Sequence, residues 1–261
     1  MHPPRRSGAA ELGHKSQEWF RPPSGLTLRA EEVHLWRAPL DLRGSILERL
    51  YGTLADDEKV RAERFRFAEG RARFTAARGM LRDILARYAG VEPASLQFGY
   101  QHSGKPFLLA GAGVGKLQFN LSHSKGMGLY GVTLGRPVGV DIEQVRQGPE
   151  FSRIAERYFT PKEAEALRNC PVHLQAEAFF RCWTRKEAFI KASGEGFARG
   201  LGSFEVSIEP GDNDALLDVS GDPAAMKRWH LANVDAVDGF AAAVAVEQRG
   251  LAFACWEWPG Q

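Results

Sequence analysis

A chain of 261 residues is long enough for one large or two modest domains with a buried core. Hydrophobic residues make up 44% of it and charged residues 25%, which is the composition of an ordinary globular protein. The net charge of +2 indicates no class of partner by itself.

The cysteines exclude two kinds of stabilising site. There are three of them, Cys170, Cys182 and Cys255, and they are far apart with no CxxC pair. An odd number without metal-ligand spacing predicts neither a disulfide framework nor a zinc site. We therefore expect a reducing, cytoplasmic setting.

No segment predicts export or membrane insertion. Arg5 and Arg6 are followed by small and polar residues instead of the apolar stretch of a signal peptide. The longest apolar run, residues 240–246, is too short to cross a bilayer. Residues 1–28 contain four prolines and are predicted to form a mobile or loosely docked N-terminal arm.

The first half of the chain reads as a strand, then helices, then strands. The predicted elements are a strand at 33–38, helices at 45–51 and 54–88 with a break near Gly70, and strands at 95–100, 117–124 and 128–135. Gly90 is placed where a helix should end.

The second half repeats this order. The predicted elements are a strand at 138–145, helices at 150–157, 161–169 and 174–193, and strands at 204–209, 228–234, 239–246 and 251–257. Thr160 and Glu163 enclose a capping box with Pro161 at the first helical position. The repetition predicts an α+β fold of two similar halves, residues 29–135 and 136–261, related by duplication with a site between them.

Residues 138–143, VGVDIE, carry the first chemical signal. As a strand they bury Val138, Val140 and Ile142 on one face and present Asp141 and Glu143 on the other. Two carboxylates about 5 Å apart repel by about 3 kcal/mol at an effective dielectric constant of ~20. A hard cation such as Mg²⁺ would remove this repulsion, and Gly139 on the same face would leave room for a phosphate. The alternative is an exposed edge strand whose acids discourage aggregation.

The segment 183–191, WTRKEAFIK, adds a third acid. One face of this helix is apolar and consists of Phe179, Phe180, Trp183 and Ile190. Glu187 falls inside that face and Lys191 lies at its edge. A carboxylate there is costly unless it is paired or metal-bound. The alternative is an ordinary i,i+4 pair between Glu187 and Lys191.

Two further patterns indicate an anionic ligand. Residues 59–87 contain nine basic and three acidic side chains, and they lack the stacking aromatics and reading motifs of a nucleic-acid-binding protein. Ser122 and His123 end a polar cluster in FNLSHS, where they could donate hydrogen bonds to a phosphate. A structural histidine is the alternative. Lys105, in a GKP turn, would equally pass as a surface lysine.

Four segments in this order, SGKPF, FNLSHS, VGVDIE and WTRKEAFIK, resemble the signature of the Sfp-type 4′-phosphopantetheinyl transferases over roughly residues 30–247. The resemblance implies two similar α+β halves with the active site at their junction. It also implies a reaction in which coenzyme A and an apo carrier protein give the holo carrier and 3′,5′-ADP. A monomer is expected, because the junction replaces a subunit interface.

The resemblance assigns roles to individual residues. Those implied to hold Mg²⁺ on the pyrophosphate are Asp141, Glu143 and Glu187. Those implied to contact coenzyme A are Lys191 and His123 at the pyrophosphate, Lys105 and Ser122 elsewhere, and Arg78 and Arg61 toward the 3′-phosphate. Asp141, Glu187 and Lys191 are the expected catalytic residues, with either Glu187 or a metal-bound water as the base.

The partner implied is an acidic carrier protein, expected to dock near residues 144–158 with Arg146, Arg153 and Arg157 at the rim. Two other functions stay open. One is a different Mg²⁺-dependent phosphotransfer enzyme, although no Walker loop or kinase signature is present. The other is an inactive paralogue that binds a carrier or nucleotide. The sequence does not predict which carrier is served.

Overall fold

The computed structural model describes residues 17–102, 104–109, 115–194, 200–212 and 214–260. The helices are α1 (Gly44–Gly52), α2 (Asp56–Glu63), α3 (Ala68–Ala89), α4 (Glu150–Tyr158), α5 (Pro161–Asn169), α6 (Gln175–Ser193) and α7 (Ala225–Arg228). The strands are β1 (Glu32–Pro39), β2 (Phe98–Tyr100), β3 (Pro106–Leu108), β4 (Leu117–Ser124), β5 (Met127–Leu134), β6 (Val138–Gln144), β7 (Phe204–Val206), β8 (Leu216–Val219), β9 (Trp229–Asn233), β10 (Phe240–Glu247) and β11 (Ala252–Glu257).

Two main sheets are stacked face to face, with helices on their outer sides. The first sheet has the order β11-β1-β5-β4 and the second β6-β10-β9. Apolar side chains from both sheets, such as Val33, Leu35, Val140 and Val244, form one core between them. The predicted α+β class is confirmed. No helix in the described part of the chain has the length and apolarity needed to cross a membrane.

Side chains on the two faces of the first sheet belong to two different hydrophobic cores, because successive residues of a strand point to opposite faces. On β1, Leu35 belongs to the core between the sheets, whereas Trp36 and Ala38 belong to the core beneath α3. Met80 and Leu81 of α3 are fully buried in that second core. The second sheet is covered by α6, and α4 and α5 pack on α6.

The C-terminal strand corrects the predicted domain boundary. β11 pairs in parallel with β1, Leu35 lying opposite Cys255, so residues 252–257 complete the sheet of the first half. The predicted range 136–261 for the second half is therefore wrong at its end. A parallel partner covers the outer edge of β1, and such a non-local pairing leaves no trace in the periodicity of either segment. The short elements β8 and α7 were not predicted.

The described part of the N-terminal segment lies against the folded protein. Residues 17–28 are docked: the Phe20 amide donates to the Cys255 carbonyl at 3.0 Å, and the Trp19 indole donates to the Asp235 carbonyl at 2.8 Å. Leu26 and Leu28 pack against the core beneath α3. Apolar burial offsets the entropy of ordering this segment. Of the two alternatives for the arm, the docked one describes residues 17–28, and residues 1–16 lie outside the described residues.

The break in the long helical region lies at residues 64–67 and not at Gly70, which is inside α3. The Phe65 ring packs on Phe74, with ring centroids 5.3 Å apart. A Cβ atom at position 70 would lie 3.0 Å from the Phe65 ring, so the glycine accommodates the chain where it turns back. Gly90 ends α3 with φ of 65°, as predicted.

His34 should make the fold sensitive to acid. Its buried ring bonds the Tyr88 hydroxyl at 2.8 Å, and burial lowers the pKa of the imidazole to about 4. The unfolded chain therefore binds more protons below pH 6.5, and stability is lost as pH falls through this range. We expect a loss of about 2 kcal/mol between pH 7.5 and 5 from this residue alone.

Urea unfolding at both pH values measures this loss. His34→Gln keeps a polar group for Tyr88 and removes the titration, so its stability should fall less between the two pH values. The exposed His102→Gln is the control and should behave as the wild type. An equal fall in wild type and His34→Gln would show that other groups cause the acid sensitivity.

Candidate active site

The two sheets meet at a seam between β4 and β6. Each is an outer strand of its own sheet, and the backbone pairings of the described residues do not join them. Side chains of β4 make the connection instead. The Val140 amide donates to Asn120 Oδ1 at 2.9 Å, and Asn120 is buried. The seam therefore brings residues of both halves into hydrogen-bond contact.

β6 presents its acids to α6, as its alternation predicts. Val140 and Ile142 point into the core between the sheets, and the opposite face carries Gly139, Asp141 and Glu143. The expectation that Gly139 leaves room for a phosphate is wrong. A Cβ atom there would overlap the Ala188 carbonyl oxygen, because α6 packs directly on the glycine.

Asp141 and Lys191 form the centre of the site. The Lys191 ammonium lies 2.6 Å from Asp141 Oδ1 and 3.1 Å from the Ser122 oxygen. The Ser122 hydroxyl donates to the same Asp141 oxygen at 2.7 Å. Asp141 is 3% exposed, and its Oδ2 atom is buried without a hydrogen-bond partner among the described residues. A buried carboxylate oxygen of this kind is available to a cation.

Glu143 and Glu187 are half-buried acids on either side of this centre. Ser124 donates to Glu143 Oε2 at 2.7 Å. Burial raises the pKa of the Glu143 carboxyl, and the charge of Asp141 raises it further. Burial also raises the pKa of Glu187, as do the charges of Asp141 and then Glu143. The charge of Asp141 is therefore close enough to both glutamates to disfavour their ionisation.

The carboxylates of Asp141, Glu143 and Glu187 offer only oxygen atoms, which suit a hard divalent cation. One of them, Asp141 Oδ2, is buried without a hydrogen-bond partner among the described residues. Their geometry is not that of an assembled metal centre. Among the residues that the structure describes, no three acidic, histidine or cysteine side chains are grouped so that they could hold an ion. Asp141 is instead neutralised by Lys191. A Mg²⁺ site at Asp141, Glu143 and Glu187 stays a prediction.

Lys105 reaches the site from the first half. Its ammonium donates to the Lys191 carbonyl at 2.5 Å and to the Val138 carbonyl at 3.3 Å. The Lys191 carbonyl belongs to the last turn of α6, where carbonyl groups lack helical partners. Burial, followed by the charge of Lys191, lowers the pKa of Lys105 to about 8. Lys105 thus secures the end of α6 and is not a simple surface lysine.

His123 follows Ser122 on β4 and is exposed. Desolvation by the surrounding protein lowers the pKa of its imidazole, and the charge of the Lys191 ammonium lowers it further. The ring is therefore neutral at pH 7 and can donate one hydrogen bond to an anion.

Arg78 and Arg61, assigned to the far end of the ligand, differ in environment. Arg78 is 6% exposed and donates through Nε to Glu58 at 2.8 Å. Glu58 also accepts from Arg82 at 2.6 Å, so one carboxylate faces two guanidinium groups. Arg61 is exposed, with its guanidinium 5.5 Å from the Phe74 ring centroid. Sequence reasoning missed Glu58, which lies just before the basic run.

Lys186 is a second residue that sequence reasoning missed. It is fully buried, and its ammonium lies 2.7 Å from Glu163 Oε1 and donates to the Leu201 and Phe204 carbonyls at 2.8 and 2.7 Å. Glu163 also closes the predicted capping box of α5. From the sequence alone, a lysine next to Glu187 is interpreted as surface charge. Its partners Glu163, Leu201 and Phe204 lie 15 to 23 residues away and become known only from the fold. Lys186 therefore anchors α6 without facing the seam.

Family models match both halves. A model of the 4′-phosphopantetheinyl transferase superfamily covers residues 137–245, and a model of the N-terminal part of a 4′-phosphopantetheinyl transferase covers residues 44–133. The first contains Asp141, Glu143 and Glu187, and the second contains Ser122 and Lys105. The chain belongs to the 4′-phosphopantetheinyl transferase family and is an enzyme of that transferase class.

Curated relatives agree. The chain is 42% identical over 240 residues to the 4′-phosphopantetheinyl transferase HetI of Nostoc sp. strain PCC 7120, covering 92% of this chain and 98% of the relative. It is 31% identical to a putative 4′-phosphopantetheinyl transferase of Synechocystis sp. strain PCC 6803, covering 77% and 79% of the two chains. The transferase Sfp of Bacillus subtilis strain 168 is 27% identical over 70% of this chain and 80% of its own.

Proposed function

We propose that this enzyme transfers the 4′-phosphopantetheine group of coenzyme A to a serine of an apo carrier protein, with Mg²⁺, and releases 3′,5′-ADP. The observation that carries the proposal is the seam itself. At the seam, the Lys191 ammonium lies on Asp141, which keeps one buried oxygen without a hydrogen-bond partner among the described residues. The same place holds Glu143 and Glu187, whose carboxyl pKa values are raised, and Lys105 reaches it from the other half.

The residues present suit the chemistry of this transfer. Mg²⁺, held by Asp141, Glu143 and Glu187, would supply charge neutralisation on the diphosphate of coenzyme A. The Lys191 ammonium donates to a phosphate oxygen as negative charge builds up. The carrier serine oxygen forms a bond to the β-phosphorus while the bond to 3′,5′-ADP breaks. Glu187, or a water in the site, accepts the serine proton.

We place coenzyme A along the β2–β3 hairpin. Near the turn of this hairpin, the Tyr100 hydroxyl accepts from Arg78 at 3.2 Å, and the Gln101 amide donates to the Lys105 carbonyl at 2.9 Å. The Lys105 ammonium reaches from the same turn to the end of α6. The 3′-phosphate would lie toward Arg78 and Arg61. The pyrophosphate would lie at Lys191 and His123, and Lys105 and Ser122 would contact other parts of coenzyme A.

The carrier protein is proposed to dock on residues 144–158, directly after Glu143. Arg146 is exposed, and its guanidinium lies 5.4 Å from the ring centroids of the buried Phe151 and Phe180, so it places positive charge at the surface over this apolar core. Arg153 and Arg157 on α4 are exposed and extend this positive charge. We propose that the enzyme acts in the cytoplasm, with its three cysteines as free thiols, and as a monomer.

Incubation of an apo carrier protein with coenzyme A, Mg²⁺ and the enzyme should add the mass of phosphopantetheine to the carrier. Intact-protein mass spectrometry measures this gain, and a chelator should prevent it. Consumption of coenzyme A or a nucleotide without a mass gain would favour another Mg²⁺-dependent phosphotransfer reaction. Binding without either change would favour an inactive paralogue.

A further inference from the structure

Every second residue of β4, from Asn120 to Ser124, makes a hydrogen bond to β6. Asn120 accepts from the Val140 amide, Ser122 donates to Asp141, and Ser124 donates to Glu143. The sequence separations of these bonded pairs are 20, 19 and 19 residues, so the two strands run in the same direction. Two serines that are two residues apart thus face two carboxylates that are two residues apart.

Each serine holds one oxygen of one carboxylate. Ser122 and Lys191 both bond Asp141 Oδ1, which leaves Oδ2 buried and unpartnered within the described residues. Ser124 bonds Glu143 Oε2, whereas Oε1 takes part in no hydrogen bond or ion pair that the described residues make. The two remaining oxygens are the ones that a cation could take.

Ser124 is oriented by a second bond. The Gln144 amide donates to its oxygen at 3.3 Å. Because the hydroxyl oxygen accepts this backbone bond, its own hydrogen is directed to Glu143. A glutamate side chain has three rotatable bonds and loses much rotamer freedom when it is held. Ser124 therefore restricts Glu143 before any ligand arrives.

We propose that Ser124 is a positioning residue for the metal-binding acids: it holds Glu143 with one oxygen free, while Asn120 keeps β6 in register with β4. This inference rests on the proposed Mg²⁺-dependent transfer. The role differs from that of a ligand contact, since Ser124 acts through Glu143. Partners that orient metal ligands commonly change metal affinity by 10- to 100-fold when they are removed.

Ser124→Ala should raise the Mg²⁺ concentration for half-maximal transfer about 10-fold. Calorimetric titration of Mg²⁺ into the enzyme with coenzyme A should show the same weakening, independent of turnover. Coenzyme A affinity without metal should not change. Ser124→Thr keeps the hydroxyl and should restore the wild-type Mg²⁺ dependence. Ser95→Ala removes a hydroxyl that donates to the nearby Glu92 carbonyl and serves as the matched control.

If Ser124→Ala unfolds, Ser124→Cys fills the same space with a weak donor and should show the same higher Mg²⁺ requirement. A Ser124 variant that lacks the hydroxyl but keeps wild-type Mg²⁺ affinity and half-saturation would overturn the positioning role. A wild-type enzyme that transfers nothing would instead refute the proposed function. The calorimetric comparison of wild type and Ser124→Ala decides the positioning role in that case too.

Discussion

Glu187→Gln is expected to lower the rate of phosphopantetheine transfer by at least about 100-fold, because a positioned proton acceptor contributes 10²–10⁴-fold. The amide has nearly the same shape as the carboxylate but cannot accept the serine proton or neutralise a cation. Coenzyme A should still bind, since Lys105, Ser122 and Lys191 are unchanged. Mass spectrometry of the carrier gives the rate, and calorimetry gives the coenzyme A affinity.

The stability of this variant should not fall. Glu187 has a raised pKa because of burial and the charges of Asp141 and Glu143, so removing its charge relieves repulsion in the folded state. Thermal unfolding should occur at the wild-type temperature or above it. Glu165→Gln, on the exposed face of α5, is the control and should transfer normally. Turnover of Glu187→Gln near that of the wild type would remove Glu187 from the mechanism.

Gly139→Ala is expected to destabilise the fold by about 3 kcal/mol, the upper part of the range for overpacking a core. The new Cβ would overlap the Ala188 carbonyl oxygen and lie 2.5 Å from the Ala192 nitrogen. Both are backbone atoms of α6, so no side chain can turn away to make room. The helix must move off β6, which separates Lys191 from Asp141. Urea unfolding measures the lost stability, and transfer should fall with it.

Gly52→Ala provides the matched control, because a Cβ atom at that position meets no atom within 4 Å. Its stability should stay within about 0.5 kcal/mol of the wild type. If Gly139 instead served to admit a phosphate, Gly139→Ala would raise the KM for coenzyme A and leave the unfolding free energy unchanged. That result would contradict the close packing of α6 on β6.

Local patterns in the sequence were sufficient for most elements. The alternation in residues 138–143 predicted the strand and the face that carries Asp141 and Glu143. The capping box predicted the start of α5 at Pro161, and Gly90 predicted the end of α3. These features depend on residues within a few positions of one another, so a single segment contains the information.

Non-local pairing escaped the same reasoning. β11 appeared as a strand, but nothing in its residues showed that it joins β1. The basic run at 59–87 indicated an anion, yet Arg78 and Arg82 share the carboxylate of Glu58, an acid outside that run. The burial of Lys186 depends on Glu163, 23 residues earlier. In each case the periodicity identifies the element and leaves its partner open.

The candidate site divides in the same way. The sequence by itself predicted which side chains share one site, because Asp141, Glu143, Glu187 and Lys191 stand at positions that put them on definite faces of a strand and a helix. Only the tertiary structure decided how these groups are paired. In the folded protein Lys191 bonds Asp141, and the backbone of α6 packs directly on Gly139. Faces follow from local geometry, whereas partners follow from how distant elements pack.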